Sequence, residues 1–380
     1  MSEVTESQVP ILRPAWLHPT GSRVSTIAVN NDVILSGHHP DLSRDFCAYG
    51  TDDGKIKVLE TKSGRVIFRY EADLDLFAVS TLDFCEENFY LAAGFEDGSF
   101  RVFDYSAGVK EAAAQSEELS DEAISGEIIF EKKFPKQMVE KVKWQPRSSK
   151  VFLIAGKNCF CFDPVDKELR HFAEEETSIT DFLVTSSPQA GPVLMLTCYG
   201  HLKVYQIQTG RQVEDFQWKG SLINLHICPN RKYVVCGTQE QTIHIWNLKQ
   251  KKDLEMRGFA QKIKQMSFRE DGLQMVHGSG EEIVAWDFSG QGPAGKRPSI
   301  FGPHEGKVTE AWFQNHGQLM ASAAQDGVIL IWNQSQPDTP IAITGIRDQE
   351  ITKMRWTSDD QFLFVGFATG YVVAIPVPQI

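Results

Sequence analysis

Short apolar runs broken by turn residues fill this chain, and the clearest is Leu319-Met320-Ala321-Ser322-Ala323-Ala324-Gln325-Asp326-Gly327-Val328-Ile329-Leu330-Ile331-Trp332-Asn333. It predicts a strand of small and apolar residues, a tight turn at Asp326-Gly327, and a β-branched strand ending in tryptophan. Asp-Gly between two apolar runs is the strongest short-range hairpin signal, because the turn needs a positive φ that Gly adopts without strain. A run of the form Val-x-x-Met-x-Phe precedes such hairpins, so the predicted unit has three strands.

Eight copies of that unit follow one another. The first pairs Val24-Ser25-Thr26-Ile27-Ala28-Val29 with a hairpin turning at Asp53-Gly54, and the second turns at Asp97-Gly98. In the third and fourth the turn is shortened. Copies five (233–247), six (275–287) and seven stay close to the pattern, and the eighth ends with the chain. The residue closing each third strand falls at 59, 103, 162, 205, 246, 286, 332 and 375. These steps average near the ~40–45 residues of a four-stranded propeller blade.

A fourth apolar segment, such as Val66-Ile67-Phe68-Arg69-Tyr70 or Ile128-Ile129-Phe130-Glu131, follows most third strands. The eighth copy has none after it. Val9-Pro10-Ile11-Leu12 is expected to supply its missing outer strand and close the ring, since an unclosed sheet edge invites aggregation. The expected fold is all-β: one propeller over residues 9–380, of eight blades, with seven as the alternative if one copy is an irregular cap. Residues 1–8 are expected to be a flexible tail. Insertions are expected at about 30–45, 106–127 and 289–299, the second an Ala- and Glu-rich mobile loop in preference to a short helix.

The pattern resembles the WD40 repeat family over essentially the whole chain from about residue 24. In that family a His between blades, a Ser or Thr in the second strand, an Asp in the hairpin turn and a Trp in the third strand form one hydrogen-bonded set. The resemblance implies that His304, Ser322, Asp326 and Trp332 are that structural tetrad in the seventh copy. A literal Trp-Asp pair occurs only at Trp286-Asp287; Phe103 and Phe162 replace Trp in copies two and three, and Leu59 and Ile375 at the ends. The blade count therefore rests on periodicity more than on the signature.

Composition narrows the setting. A net charge of −12 and a pI near 5.4 argue against a protein whose main work is neutralising nucleic-acid phosphates. Seven scattered cysteines, an odd number, do not form a disulfide framework and fit a reducing compartment. The polar N-terminus reads as neither signal nor transit peptide, and no apolar run approaches bilayer-spanning length. The cytosol or nucleus is the expected location.

Several motifs carry candidate chemistry. Gly290-Gln291-Gly292-Pro293-Ala294-Gly295-Lys296 imitates a phosphate-binding loop, but such loops must open a helix, and Pro293 and Pro298 prevent one. His38 and His39 with Asp41 and Asp45 are suitable metal ligands in a segment that otherwise reads as a plain loop. Cys159 and Cys161 alternate on a strand and read as core thiols. His304, Ser322 and Asp326 mimic a hydrolase triad, which the tetrad explains without a nucleophile. The basic run Lys132-Lys133-Phe134-Pro135-Lys136, continued by Lys141 and Lys143, is interleaved with Glu131 and Glu140, which disfavours a nucleic-acid site. No catalytic residue, cofactor site or metal site is assigned.

In the family, the loops between blades and the hairpin turns share one face, the top. That rule places Asp52, Asp53, Asp73, Asp75, Glu96 and Asp97 there, with Glu174, Glu175 and Glu176 further round. Such an acidic rim would draw a basic peptide. The expected function is a non-catalytic scaffold or adaptor for protein partners, as a subunit of a multiprotein complex without membrane insertion. The alternatives are a component of a ribonucleoprotein or RNA-processing complex, touching nucleic acid only indirectly, and an enzyme with a central-channel pocket.

Overall fold

Each repeat folds as an antiparallel sheet whose third strand carries its large apolar residue in the penultimate position: Leu59 in Ile56–Glu60, Phe103 in Ser99–Asp104, Phe162 in Asn158–Asp163, and so on to Ile375 in Tyr371–Pro376. The computed structural model describes residues 9–30, 45–71, 77–114, 126–187 and 189–378. The expected tail at 1–8 and most of the insertion at 30–45 lie outside the described residues. There are eight sheets, so the seven-blade alternative falls.

From the channel outward, blade 1 is Val24–Val29, Phe46–Thr51, Ile56–Glu60 and Val66–Tyr70; blade 2 is Val79–Phe84, Tyr90–Phe95, Ser99–Asp104 and Glu127–Lys133. Blade 3 runs through Val139–Trp144, Val151–Ala155, Asn158–Asp163 and Glu168–Glu174. In blade 4, Gly191–Gln206 lies between Asp181–Ser187 and Gln212–Ser221. It doubles back near Gly200, where φ is +79°, so that Ile207 N–H reaches the Pro192 carbonyl at 3.0 Å. One unbroken segment thus provides the second and third strands.

Blade 5 comprises His226–Ile227, Tyr233–Gly237, Ile243–Asn247 and Lys252–Met256; blade 6 comprises Ser267–Phe268, Gln274–Ser279, Glu282–Asp287 and Ser299–Phe301. Blade 7 is Val308–Phe313, Leu319–Ala324, Val328–Asn333 and Ala342–Gly345.

Neighbouring blades approach closely because in several blades the penultimate residue of the second strand is a glycine. A Cβ placed on Gly50 would lie 2.5 Å from Val79, and one on Gly94, Gly278 or Gly366 would lie 2.6 Å from Val139, Val308 or Val24. Each of these valines opens the inner strand of the next blade, and the last contact joins blade 8 to blade 1. At the junction of blades 1 and 2 the hydroxyl of Ser25 adds a bridge, lying 3.0 Å from Gly50 O and 2.7 Å from Val79 O.

Closure occurs as expected in kind, but with a different segment. Blade 8 consists of Ile351–Trp356, Phe362–Phe367 and Tyr371–Pro376, and its outer strand is Trp16–Pro19, with Trp16 opposite Ala374. The segment at 9–12 instead adds to blade 7: Leu12 N–H bonds Ile343 O, and Ile343 N–H bonds Pro10 O, both at 2.9 Å. Trp16 then crosses into blade 1, where its Nε1 donates to Thr61 O at 2.8 Å and its ring covers Gly64. The N-terminal segment thus ties three blades together.

The insertion between the third and outer strands of blade 2 also departs from expectation, since it begins with a helix, Ser106–Ala114. The helix docks on the outer strand of blade 1. Val109 is buried, Gly108 sits so close to the Ile67 carbonyl that no side chain fits, and Arg65 donates to Ala112 O at 2.7 Å. Apolar contact with a neighbouring sheet decides this segment, and composition alone does not reveal it.

Candidate functional site

In blade 7 the indole of Trp332 has its one polar atom in a sealed interior, so Nε1–H needs an acceptor. Ser322 Oγ takes it at 2.9 Å and lies 2.8 Å from His304 Nε2. A serine hydroxyl that accepts from the indole has its own proton for Nε2, which puts the imidazole proton on Nδ1. That atom faces Asp326 Oδ2 at 3.4 Å, a contact too long for a tight hydrogen bond and chiefly electrostatic. Asp326 is held by the backbone N–H groups of Glu305 at 2.9 Å and Val328 at 2.8 Å, which ties the interblade loop to the hairpin turn. Burial holds His304 neutral against the pull of Asp326. Ser322 is 0% exposed, so the triad-like trio lies out of a substrate's reach.

The same slot is filled differently elsewhere. In blade 6, His277 stands at the position of Ser322 and accepts the indole N–H of Trp286 directly on Nε2 at 3.1 Å, with Phe259 packed edge-on at 4.8 Å. In blade 4, Glu175 occupies the position of His304; their backbone N–H groups bond Lys157 O and Glu281 O respectively, each at 2.9 Å. Its carboxylate accepts from Tyr205 Oη at 2.6 Å and pairs with Lys203 at 2.5 Å. Glu175 is 3% exposed and therefore departs from the expected rim. Its spacing, four residues before Ile179 as His304 is before Val308, was the available signal.

Polar residues on the inner strands line the channel, and they bond across blade boundaries. Asp83 accepts from Trp144 N at 2.8 Å and pairs with Lys143; Asp181 accepts from Leu225 N at 2.8 Å and pairs with Lys141. Further round, Gln265 exchanges two bonds with Ala311, at 2.7 and 3.0 Å. Glu310 takes Arg355 at 3.1 Å and the Trp312 indole at 2.5 Å, while the Arg355 guanidinium stacks 3.9 Å over Trp312. An inner strand has an unpaired edge toward the channel, and these side chains satisfy it. The basic run at 132–143 is split accordingly: Lys133 pairs with Asp97 on the top rim, and Lys141 and Lys143 enter the channel.

The buried imidazoles of His244 and His277 and the half-buried one of His226 make stability depend on pH. Desolvation lowers His226, His244 and His277 from 6.5 to about 4. Below pH 6.5 the unfolded chain binds protons that the folded one refuses, so stability is complete above that value and is lost as pH falls toward 4. The melting temperature should drop across this window. His277→Gln, which keeps an acceptor for Trp286 and does not titrate, should reduce the slope; an unchanged slope would refute the assignment for His277.

Of the expected rim residues, Asp52, Glu96 and Glu176 are exposed. Asp53 is engaged by Lys55 at 2.7 Å, Asp97 by Lys133 at 2.9 Å, and Glu174 by Lys157 at 2.5 Å, which holds the Glu174 carboxyl below its ordinary range. Asp73 and Asp75 lie outside the described residues, as do His38, His39 and Asp41. Among the described residues no cluster of three or more His, Cys, Asp or Glu is arranged to hold a metal. In the Gly-rich loop, Lys296 bonds Asp287 and Ser289, both at 2.8 Å, and is not free for phosphate. Burial pushes the Cys161 thiol up to about 12 and the Cys159 thiol well above its ordinary value, so neither is a ready nucleophile.

These features define an eight-bladed β-propeller. The family model for WD domain, G-beta repeat, matches residues 295–333, the blade with the complete tetrad. Among solved structures the chain is similar to Chaetomium thermophilum Sqt1 bound to the N-terminus of the ribosomal protein L10, with 17% identity, a TM-score of 0.70, and 94% of this chain and 97% of that one covered. It is similar also to Saccharomyces cerevisiae Sqt1, at 14% identity and a TM-score of 0.73 over 98% and 100% of the two chains. The computationally designed Ika8 protein aligns at 17% identity and a TM-score of 0.68 over 98% and 100%. At such identities the likeness is one of fold. No match was found among curated proteins.

Proposed function

We propose that the protein is a non-catalytic scaffold or adaptor that holds a protein partner on its top face, with acidic groups over the first blades drawing a basic segment. One contrast carries the reading. The polar groups of the tetrads and channel are used internally, whereas Glu96 and Glu176 are exposed and make no ion pair among the described residues. Among the described residues Asp52 makes one ion pair, with Arg23 at 4.0 Å. Asp53, Asp97 and Glu174 are each paired with a lysine and add little to the acidic field. A similar propeller solved with the N-terminus of a ribosomal protein bound supports a peptide segment as the ligand. The same neighbour favours membership of a ribonucleoprotein assembly through a protein contact as the second reading.

Cross-linking affinity purification tests this with wild type and with Asp52→Lys, Glu96→Lys and Glu176→Lys combined. Wild type should recover a specific partner that the reversed variant loses. Equal recovery would overturn the acidic contact, and no specific recovery by either would overturn the scaffold itself. Glu175 is left intact because its loss would disturb blade 4.

A further inference from the structure

We infer that the channel holds an oxyanion, a carboxylate or phosphate group, where blade 8 meets blade 1, bound by Lys353 Nζ and the backbone N–H of Ile27. The site lies within the channel and is independent of the segment proposed for the top face. Register fixes which inner-strand residues share a level of the channel. Thr26 lies opposite Gly50, Lys141 opposite Ile154, Asp181 opposite Thr197, Glu310 opposite Ala323 and Lys353 opposite Gly366. Each is the second residue after the apolar one that enters its blade: Val24, Val139, Ile179, Val308 and Ile351.

At the junction of blades 3 and 4 that level is complete. Lys141 Nζ lies 2.5 Å from Asp181 Oδ1, and the same oxygen accepts Phe182 N–H at 2.8 Å, so a lysine of one blade and a backbone donor of the next converge on one carboxylate. The junction of blades 8 and 1 repeats both donors without the carboxylate. Lys353 stands in the place of Lys141, Ile27 in that of Phe182, and Thr26 in that of Asp181. The two blades are in contact there, since a Cβ on Gly366 would lie 2.6 Å from Val24. Ile27 N–H turns from its sheet toward the channel, as do the equivalent groups of Val142 and Ala311, which donate to Thr81 Oγ1 at 3.3 Å and Gln265 Oε1 at 3.0 Å. Other charges on the channel wall are paired: Asp83 with Lys143, Lys141 with Asp181, and Glu310 with Arg355. Lys353 is half-buried and makes no hydrogen bond or ion pair among the described residues, which leaves the wall with a positive charge in excess. Glu310, at the same level on blade 7, is taken by Arg355 and by the Trp312 indole. An oxyanion between Lys353 and Ile27 occupies the position of the Asp181 carboxylate and accepts one charge-assisted and one backbone hydrogen bond.

Calorimetric titration of the full chain at constant ionic strength, with inorganic phosphate and separately with acetate, tests the inference. Wild type should bind at least one of them at a single site, and Lys353→Met should weaken that binding at least about tenfold, the size of one charge-assisted hydrogen bond. Tighter phosphate binding assigns the site to a phosphate group, and tighter acetate binding assigns it to a carboxylate. A second measurement supplies the anion from the chain itself. Thr26→Asp places a carboxylate where Asp181 stands in blade 4, so it should abolish anion binding. Lys353→Met should then lower the melting temperature of the Thr26→Asp protein more than that of wild type, because the two side chains are coupled. No binding of either anion by wild type, equal binding by Lys353→Met, or an equal melting-temperature loss in both backgrounds would overturn the site.

Discussion

Trp332→Ala should lower the free energy of unfolding by about 3–5 kcal/mol, the cost of deleting a large buried aromatic. Trp332 is 1% exposed, packs edge-on against Phe301 at 5.5 Å and donates its indole proton to Ser322. Truncation therefore opens a cavity between blades 6 and 7 and also frees one acceptor. Ser322→Ala separates the two effects, because it keeps most of the packing and leaves the indole N–H and His304 Nε2 without partners, a loss of about 1–3 kcal/mol. The tetrad bridges the interblade loop and the hairpin turn, so both substitutions should loosen the same junction. Denaturant unfolding of the three proteins would rank them wild type, Ser322→Ala, Trp332→Ala. A Trp332→Ala protein with an unchanged midpoint and lost partner binding would make the tetrad functional and refute its structural role.

Much of the architecture could be read from the chain because the hairpin is a local signal repeated eight times. Its markers are turn residues and a large apolar residue at one fixed place in the third strand, and all eight such residues occupy that place. Features set by long-range contact were less legible. Val9-Pro10-Ile11-Leu12 looks more like a strand than Trp16-Leu17-His18-Pro19, which lies between Pro14 and Pro19. An outer strand pairs on one side only and tolerates proline at its end, so its sequence signal is weak. The site was misjudged at Glu175 for a related reason: three consecutive glutamates suggest a solvated face, although the middle one stands in the His304 slot. The channel residues were overlooked because isolated Asp, Lys and Gln in inner strands acquire partners only once blades from distant parts of the chain are set side by side.

Removing residues 1–19 should make the propeller aggregate, whereas removing residues 1–12 should cost much less. The longer deletion strips the outer strand from blade 8 and leaves the edge of Tyr371–Pro376 unpaired, with Val372, Val373 and Ala374 no longer covered. A long apolar edge of that kind recruits other chains. It also removes Trp16, whose ring joins the cluster between blades 8 and 1 and whose indole bonds Thr61. Among the described residues the shorter deletion gives up the addition to blade 7, with its two backbone bonds and the bond from Thr344 Oγ1 to Leu12 O at 3.0 Å, and the packing of Leu12. Trp16→Ala alone should cost about 3 kcal/mol, the low end of the range for tryptophan because the ring is only half-buried. Size-exclusion chromatography with light scattering would distinguish the two truncations. A synthetic peptide covering residues 9–20 should restore the monomer to the longer one, since an added strand pairs through its backbone. A 1–19 deletion that stays monomeric with an unchanged melting temperature would mean that the ring is held by its blade interfaces alone and that the N-terminal strand is an accessory.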